Sequence, residues 1–413
     1  MSNDTIAQDF GFAPRSAAFR ANPYPVYQVL QSQKPAYYRP TQGDWLLTKY
    51  ADVAQVLKSS DFGRAVPAQQ PTSSLASPLL QRRAESQRLI GLWFLLQNPP
   101  EHSRLRGILS SLYTRQNTRL LQEQIQGKID QLIVNLQDRQ QIDVMNDFAG
   151  PLTMSISCEL MIGIFKPDWH PNFDQWSYAL SMISDLDTIP VVVEKGLLAT
   201  AGLADYFRHW ITQHIGKQSV AKNNLLEILY AAYHVGELNE EEMIATCIFL
   251  FMSGHTTTAN LIGIIILTLL QHPTQLALLY EKPDLIPQAI AEVLRYDCIV
   301  QGVSRTALVD TILSGEKVRR GQPVHCLIAA ANRDPAKFHQ PDQFNITSSS
   351  TNHLAFGLGI HTCLGRHLSM SITELAIRRL IISFPTMTLS SNNLLWGDNF
   401  LGRGLKSLPI MLH

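Results

Sequence analysis

The chain is poor in cysteine and carries no surplus charge of either sign. Of 413 residues five are cysteine: Cys158, Cys247, Cys298, Cys326 and Cys363. They are scattered, odd in number and never spaced as Cys-x-x-Cys. That argues against a disulfide framework or a zinc site and suits a reducing cytoplasm. Basic residues (34) balance acidic ones (34), so the formal net charge is zero. A neutral chain gives no reason to expect a nucleic acid as partner. The N-terminus, Met1-Ser2-Asn3-Asp4-Thr5, lacks an apolar run, so no signal segment or membrane anchor is expected there. No internal repeat is visible, and residues 117–236 hold no catalytic motif. That region reads as amphipathic helices, for example over 120–136, 154–164 and 203–215.

One stretch has no charge at all. From Met243 to Leu270 there is no Asp, Glu, Lys or Arg, which meets the length test for a membrane span. Its centre, Ser253-Gly254-His255-Thr256-Thr257-Thr258-Ala259-Asn260, would be costly against lipid. A long helix buried in a large protein is expected instead. Asn239 followed by Glu240, Glu241 and Glu242 caps its start, and Pro273 ends it. Such a helix spans roughly 50 Å. Gly254 and the hydroxyl run weaken its middle; hydroxyls bonding back to the preceding turn are the plainer reading of those threonines.

Upstream, residues 45–48 read as a strand and residues 50–57 as a helix. Residues 63–97, with Pro67, Pro71 and Pro78 among Gln, Ser and Ala, read as a long loop. Asn98-Pro99-Pro100-Glu101 predicts a helix start with Asn98 as cap. On that helix His102 and Arg106, four apart, share a face and can hold a carboxylate. Near residue 290, Glu292 and Arg295 share a face of another helix, while residues 299–330 alternate as short strands.

The chemistry concentrates in Phe356-Gly357-Leu358-Gly359-Ile360-His361-Thr362-Cys363-Leu364-Gly365-Arg366. The glycines permit positive φ and a close approach to a flat object. Helical periodicity begins after Gly365, which places Cys363 at or just before a helix N-terminus, where an anion is favoured. A thiolate held there against a planar cofactor is the axial ligand pattern of a haem-thiolate iron. The bland alternative is a structural cysteine beside a glycine turn.

The spacing Phe356-x-x-Gly359-x-x-x-Cys363-x-Gly365, with His361 inside it, resembles the haem-binding loop of the cytochrome P-450 family. The resemblance covers nearly the whole chain in the family's order. It implies a single mainly helical domain, residues 1–413, with a small β region: the cytochrome P-450 fold, of the soluble bacterial, cytoplasmic type. Haem b (iron protoporphyrin IX) would lie between the long helix and the Cys363 loop, with Cys363 as iron ligand. Phe356, Gly359, His361, Gly365, His102, Arg106 and Arg305 would hold the rest of the haem. Ser253, Gly254, Thr256 and Thr257 resemble the oxygen-binding motif, with Thr256 where the family usually has an acid. Glu292 and Arg295 resemble its buried Glu-x-x-Arg pair. Ser348 stands where an arginine usually joins that pair, and Arg333 is a candidate replacement.

By the same resemblance Phe249, Met252, Ser253, Ile299, Val300, Phe400 and Leu401 would line a largely apolar substrate pocket. The implied reaction inserts one atom of O2 into a small-molecule substrate. Electrons would come from NAD(P)H through a ferredoxin-type donor and reductase. Arg366, with Arg104 and Arg115, would form a basic face for that donor. Two alternatives stay open: a peroxide-driven peroxygenase or rearrangement enzyme on the same haem, and a haem-binding sensor without catalysis.

Overall fold

A computed structural model describes residues 10–64, 77–164, 169–183, 185–214, 224–348 and 352–412. The long helix Glu240–Gln271 runs through its centre. Its start is a capping box: the Glu242 N–H donates to Asn239 Oδ1 (3.0 Å) and the Asn239 N–H donates to the Glu242 carboxylate (2.9 Å). The helix is long and apolar enough to cross a membrane, yet 67% of its apolar window is buried in the fold. Helices Gly150–Ser155, Phe173–Ile183, Pro190–His214 and Arg366–Ser383 pack around it. Glycine permits one close approach: a Cβ on Gly254 would lie 2.9 Å from Ser157 Oγ.

The β region is small. A five-stranded sheet has the order Ala36–Arg39, Asp44–Leu47, Pro323–Cys326, Val303–Ala307, Phe62–Gly63. Register sets His325 beside Leu46 on one side and Ser304 on the other. His325 Nε2 meets Asp44 Oδ2 (2.9 Å), His325 Nδ1 meets Ser304 Oγ (2.7 Å), and Arg39 forks onto Asp44 (2.6 and 2.7 Å). This chain ties four strands together. Because side chains alternate along a strand, it fixes the strand that carries Arg305 on its other face.

Behind the Cys363 loop lies the pair Glu292–Arg295, 2.8 Å apart, each side chain 3% exposed. Arg295 also donates to the carbonyls of Pro341 (2.7 Å) and Gln343 (3.0 Å), and the Asn345 N–H donates to Glu292 (3.2 Å). Backbone groups thus complete the pair where the resemblance would place a further arginine. Arg333 does not join it. Its guanidinium stacks between the rings of Tyr24 and Tyr296 (3.6 and 3.9 Å) and donates to the Tyr296 carbonyl.

Three local readings change. Residues 78–91, read as loop, form the helix Pro78–Gly91. Its sequence is weakly patterned, and tertiary partners hold it: Arg82 pairs with Asp205, Arg83 with Glu194, and Glu85 with Arg208, all on the helix Pro190–His214. Within the same expected loop Phe94–Leu96 forms a short helical turn, and residues 65–76 lie outside the described residues, as does Ile215 at the end of a predicted helix. Asn98 is not a cap. The helix begins at Glu101 after Pro100, and the Asn98 amide instead clasps the backbone of Arg64. The predicted helix 120–136 is two helices, Arg115–Leu120 and Gln122–Val134.

Candidate active site

The Cys363 loop is closed by the Cys363 N–H donating to the Phe356 carbonyl (2.8 Å). Gly359 has φ +72°, and a Cβ there would meet the Leu57 carbonyl oxygen at 2.4 Å, so glycine is required twice over. Helix Arg366–Ser383 starts directly after Gly365. Burial raises the Cys363 pKa, while N–H groups of Gly365 and Arg366 and the charges of Arg106 and Arg366 oppose that rise. Cys363 is nevertheless exposed. What it faces is an internal cavity of about 300 Å³.

The cavity lies between the Cys363 loop and the middle of the long helix. Its walls include Phe94, Phe249, Leu261, Ile299, Val300 and Val303. Of the expected pocket residues, Phe249, Ser253, Ile299 and Val300 line it; Met252, Phe400 and Leu401 do not. Phe400 packs on Phe12 and Phe19 (5.7 Å to each ring). Leu401 is engaged through its backbone, its N–H donating to Asp185 and its carbonyl accepting from Gln301. No Asp or Glu lines the cavity among the described residues.

At one end cations gather without acids. Arg64, Arg106, Arg305 and His361 line the cavity, and the His102 ring lies 4.2 Å from that of His361. Both ring nitrogens of His102, Nδ1 of His361 and Nε of Arg64 are buried with no hydrogen-bond partner. Burial, then the nearby arginines, push His361 down to about 2. Burial also lowers His102, Arg106 and Arg305. Arg106 Nη2 donates to the Thr362 carbonyl (2.7 Å), joining the His102 helix to the Cys363 loop. Orphaned donors and clustered guanidiniums fit a group bearing carboxylates. The sequence reading found four of these five residues and missed Arg64, which belongs to no local motif.

On the opposite wall, Gly254 and Thr257 face the cavity, and Thr257 Oγ1 donates back to the Ser253 carbonyl (2.9 Å). Thr258 donates to Ser369 Oγ (3.2 Å) on the Cys363 helix. Thr256 does not line the cavity. Its hydroxyl meets Ser177 (3.3 Å) and His255 (3.4 Å). His255 is buried, lowered by that burial, and bonded to the Phe251 carbonyl.

Comparison with known proteins shows the family. The Cytochrome P450 family matches residues 67–395. The chain belongs to the cytochrome P450 family. A Bacillus subtilis "Biotin biosynthesis cytochrome P450" is 33% identical over 96% of this chain and 97% of its own length. The "Vitamin D(3) 25-hydroxylase" of Pseudonocardia autotrophica is 31% identical over 96% of this chain and 95% of its own. Among solved structures, P450BioI in complex with hexadec-9Z-enoic acid ligated acyl carrier protein superposes with TM-score 0.87. It is 32% identical and covers 96% of this chain and 99% of that one.

This P450 is therefore a haem-iron monooxygenase with the cytochrome P450 fold. Membership of the family implies O2 and a redox partner.

Proposed function

We propose that this P450 inserts one oxygen atom from O2 into a largely apolar small molecule, with electrons from NAD(P)H through a ferredoxin-type donor and reductase. The observation carrying this reading is one cavity with Cys363 on one wall, Thr257 on the other and aliphatic or aromatic walls between. The cofactor, read as haem b, supplies oxygen activation when bound, with a thiolate ligand favouring O–O cleavage. Cys363 would hold the iron; Arg106, Arg305, His102 and His361 would hold the carboxylates. Phe356, Gly359 and Gly365 shape the loop that would hold the cofactor.

The chain's own residues do the rest. Phe249, Ile299 and Val300 exclude water and orient an apolar ligand. Thr257 offers a hydroxyl to the oxygen side, and Gly254, one turn earlier, lets Ser157 come close to the helix. Protons must reach that side without a lining carboxylate. The hydroxyls of Ser253, Thr257, Thr258 and Ser369, with water, form the available route. Glu292 and Arg295 hold the region behind Cys363.

The lack of a lining acid favours one second reading: a peroxide-driven peroxygenase, in which the oxidant brings its own protons and electrons. A spin-state screen of apolar acids, terpenes and macrolides would name the ligand class. Turnover of the best ligand with ferredoxin, reductase and NAD(P)H, against turnover with peroxide alone, separates the two readings. Product in neither assay would refute both.

The donor's docking face needs revision. Arg366 and Arg115 are exposed, but Arg104 is bound to Glu101 and Glu242 and to the Glu237 carbonyl. The proposed basic face is thus Arg366 with Arg115. Salt should slow electron transfer there; rates indifferent to both salt and Arg366→Glu would rule this face out. The bacterial relatives and five free cysteines support a cytoplasmic location.

A further inference from the structure

Arg64 sits just after the short strand Phe62–Gly63. Its N–H donates to Asn98 Oδ1 (2.8 Å) and its carbonyl accepts from Asn98 Nδ2 (3.0 Å). That clasp fixes the backbone. The side chain lines the cavity beside Arg305. Arg64 Nη1 donates to the Ser304 carbonyl at 3.0 Å, and Arg305 Nη1 donates to the same oxygen at 2.9 Å. Two guanidinium nitrogens on one oxygen stand within about 6 Å of each other.

Like charges so close, away from bulk water, repel strongly. No carboxylate among the described residues pairs with either one, and Arg64 Nε is buried without a partner. Burial, then the charge of Arg305, lower Arg64 to about 9. Three guanidiniums, those of Arg64, Arg106 and Arg305, line the cavity, one more than the two carboxylates of protoporphyrin.

We infer that Arg64 and Arg305 together form a two-guanidinium carboxylate site in the haem pocket. This rests on the haem reading above. The carboxylate has two sources, a haem propionate or the acid end of a substrate, and both need the same planar forks.

The test uses purified holoprotein as wild type, Arg64→Gln, Arg64→Lys and Arg305→Gln, each checked for native circular dichroism. The first arm measures haem transfer to excess apomyoglobin, and the reduction potential, without substrate. A propionate partner is shown if Arg64→Gln speeds haem loss by about fivefold or more and lowers the potential, with Arg64→Lys recovering the potential because its charge remains. The second arm measures spin-state affinity for palmitate and for methyl palmitate. A substrate partner is shown if Arg64→Gln leaves haem loss unchanged but removes a preference for the acid of about tenfold. Unchanged haem loss, potential and acid preference in Arg64→Gln overturns the inference. The carbon monoxide spectrum of the wild type separates the two levels. If no red-shifted Soret band forms, the thiolate reading fails, while the acid-against-ester comparison in Arg64→Gln still decides the carboxylate site.

Discussion

Thr257 and Thr256 are neighbours on one helix, yet they meet different surroundings. Thr257 faces the cavity; Thr256 turns to Ser177 and His255. Successive residues on a helix point about 100° apart, which is enough to separate them. Thr257→Ala is expected to raise peroxide release per NAD(P)H several-fold and to cut product, whereas Thr256→Ala should change neither much. Coupling unchanged in Thr257→Ala would remove that hydroxyl from the oxygen side. Cys363→His should abolish the red-shifted Soret band of the reduced carbon monoxide complex even where haem is retained; a variant that keeps the band has another ligand. His353 gives a pH test outside the cavity. Burial, then Arg366 and Arg295, push it down to about 4. The unfolded chain takes up that proton near 6.5 and the folded one does not, so this contribution is full above 6.5 and is lost as pH falls towards 4. The loss reaches roughly 3 kcal/mol. Denaturant melts from pH 7 to 4 should therefore show a flatter acid limb in His353→Asn than in the wild type.

Helices here take their meaning from partners rather than from their own patterns. Glu292 and Arg295 are both 3% exposed and saturated with hydrogen bonds. Removing one leaves the other charge uncompensated, which costs on the order of 3–5 kcal/mol. Arg295→Lys cannot reproduce the fork and should lower the melting temperature by several degrees or prevent haem retention; a melt superimposable on the wild type would contradict this. The helix Pro78–Gly91 is the weaker case. It leads into Phe94 and Leu95 of the cavity wall, and pairs between Arg82 and Asp205, Arg83 and Glu194, and Glu85 and Arg208 join it to Pro190–His214. The side chains of these pairs are about one-third to one-half exposed, so each is worth little alone and weakens with salt. Imidazole binding followed by stopped flow should quicken about twofold between 0.05 and 0.5 M salt, and less so in a variant with Asp205 and Arg208 replaced by Ala. A rate independent of salt would show that this seam does not limit entry.

At the scale of the molecule, legibility followed sequence distance. Phe356 to Gly365 is one loop, and the capping box at Asn239 is one turn. Contiguous residues with special backbone demands leave a readable pattern, and the fold they implied matches P450BioI with TM-score 0.87. The cavity walls are assembled from several distant segments, so Phe400 and Leu401 could not be placed by spacing alone. Arg64 was invisible for a related reason. Its place in the cavity is fixed by the Ser304 carbonyl, some 240 residues away, beside Arg305. The helix at 78–91 was read as loop because its stabilising partners lie on another helix. Asn98 misled in the opposite sense: its local grammar was that of a cap, but a tertiary partner claimed its side chain.

The acid-free cluster of Arg64, Arg106, Arg305, His102 and His361 also bears on biogenesis. Without the cofactor, its guanidiniums crowd one end of the cavity and its imidazoles keep buried ring nitrogens with no hydrogen-bond partner. A ligand that binds only the folded chain stabilises it by mass action, and here that ligand also relieves mutual repulsion. The newly made polypeptide should therefore be far easier to digest than the loaded enzyme, with the first cuts near the segments that join at this cluster. Porphyrin supply would then govern how much protein survives in the cell as well as how much is active. Limited proteolysis of protein produced with and without added haem precursor would show it, and equal survival of both would refute it.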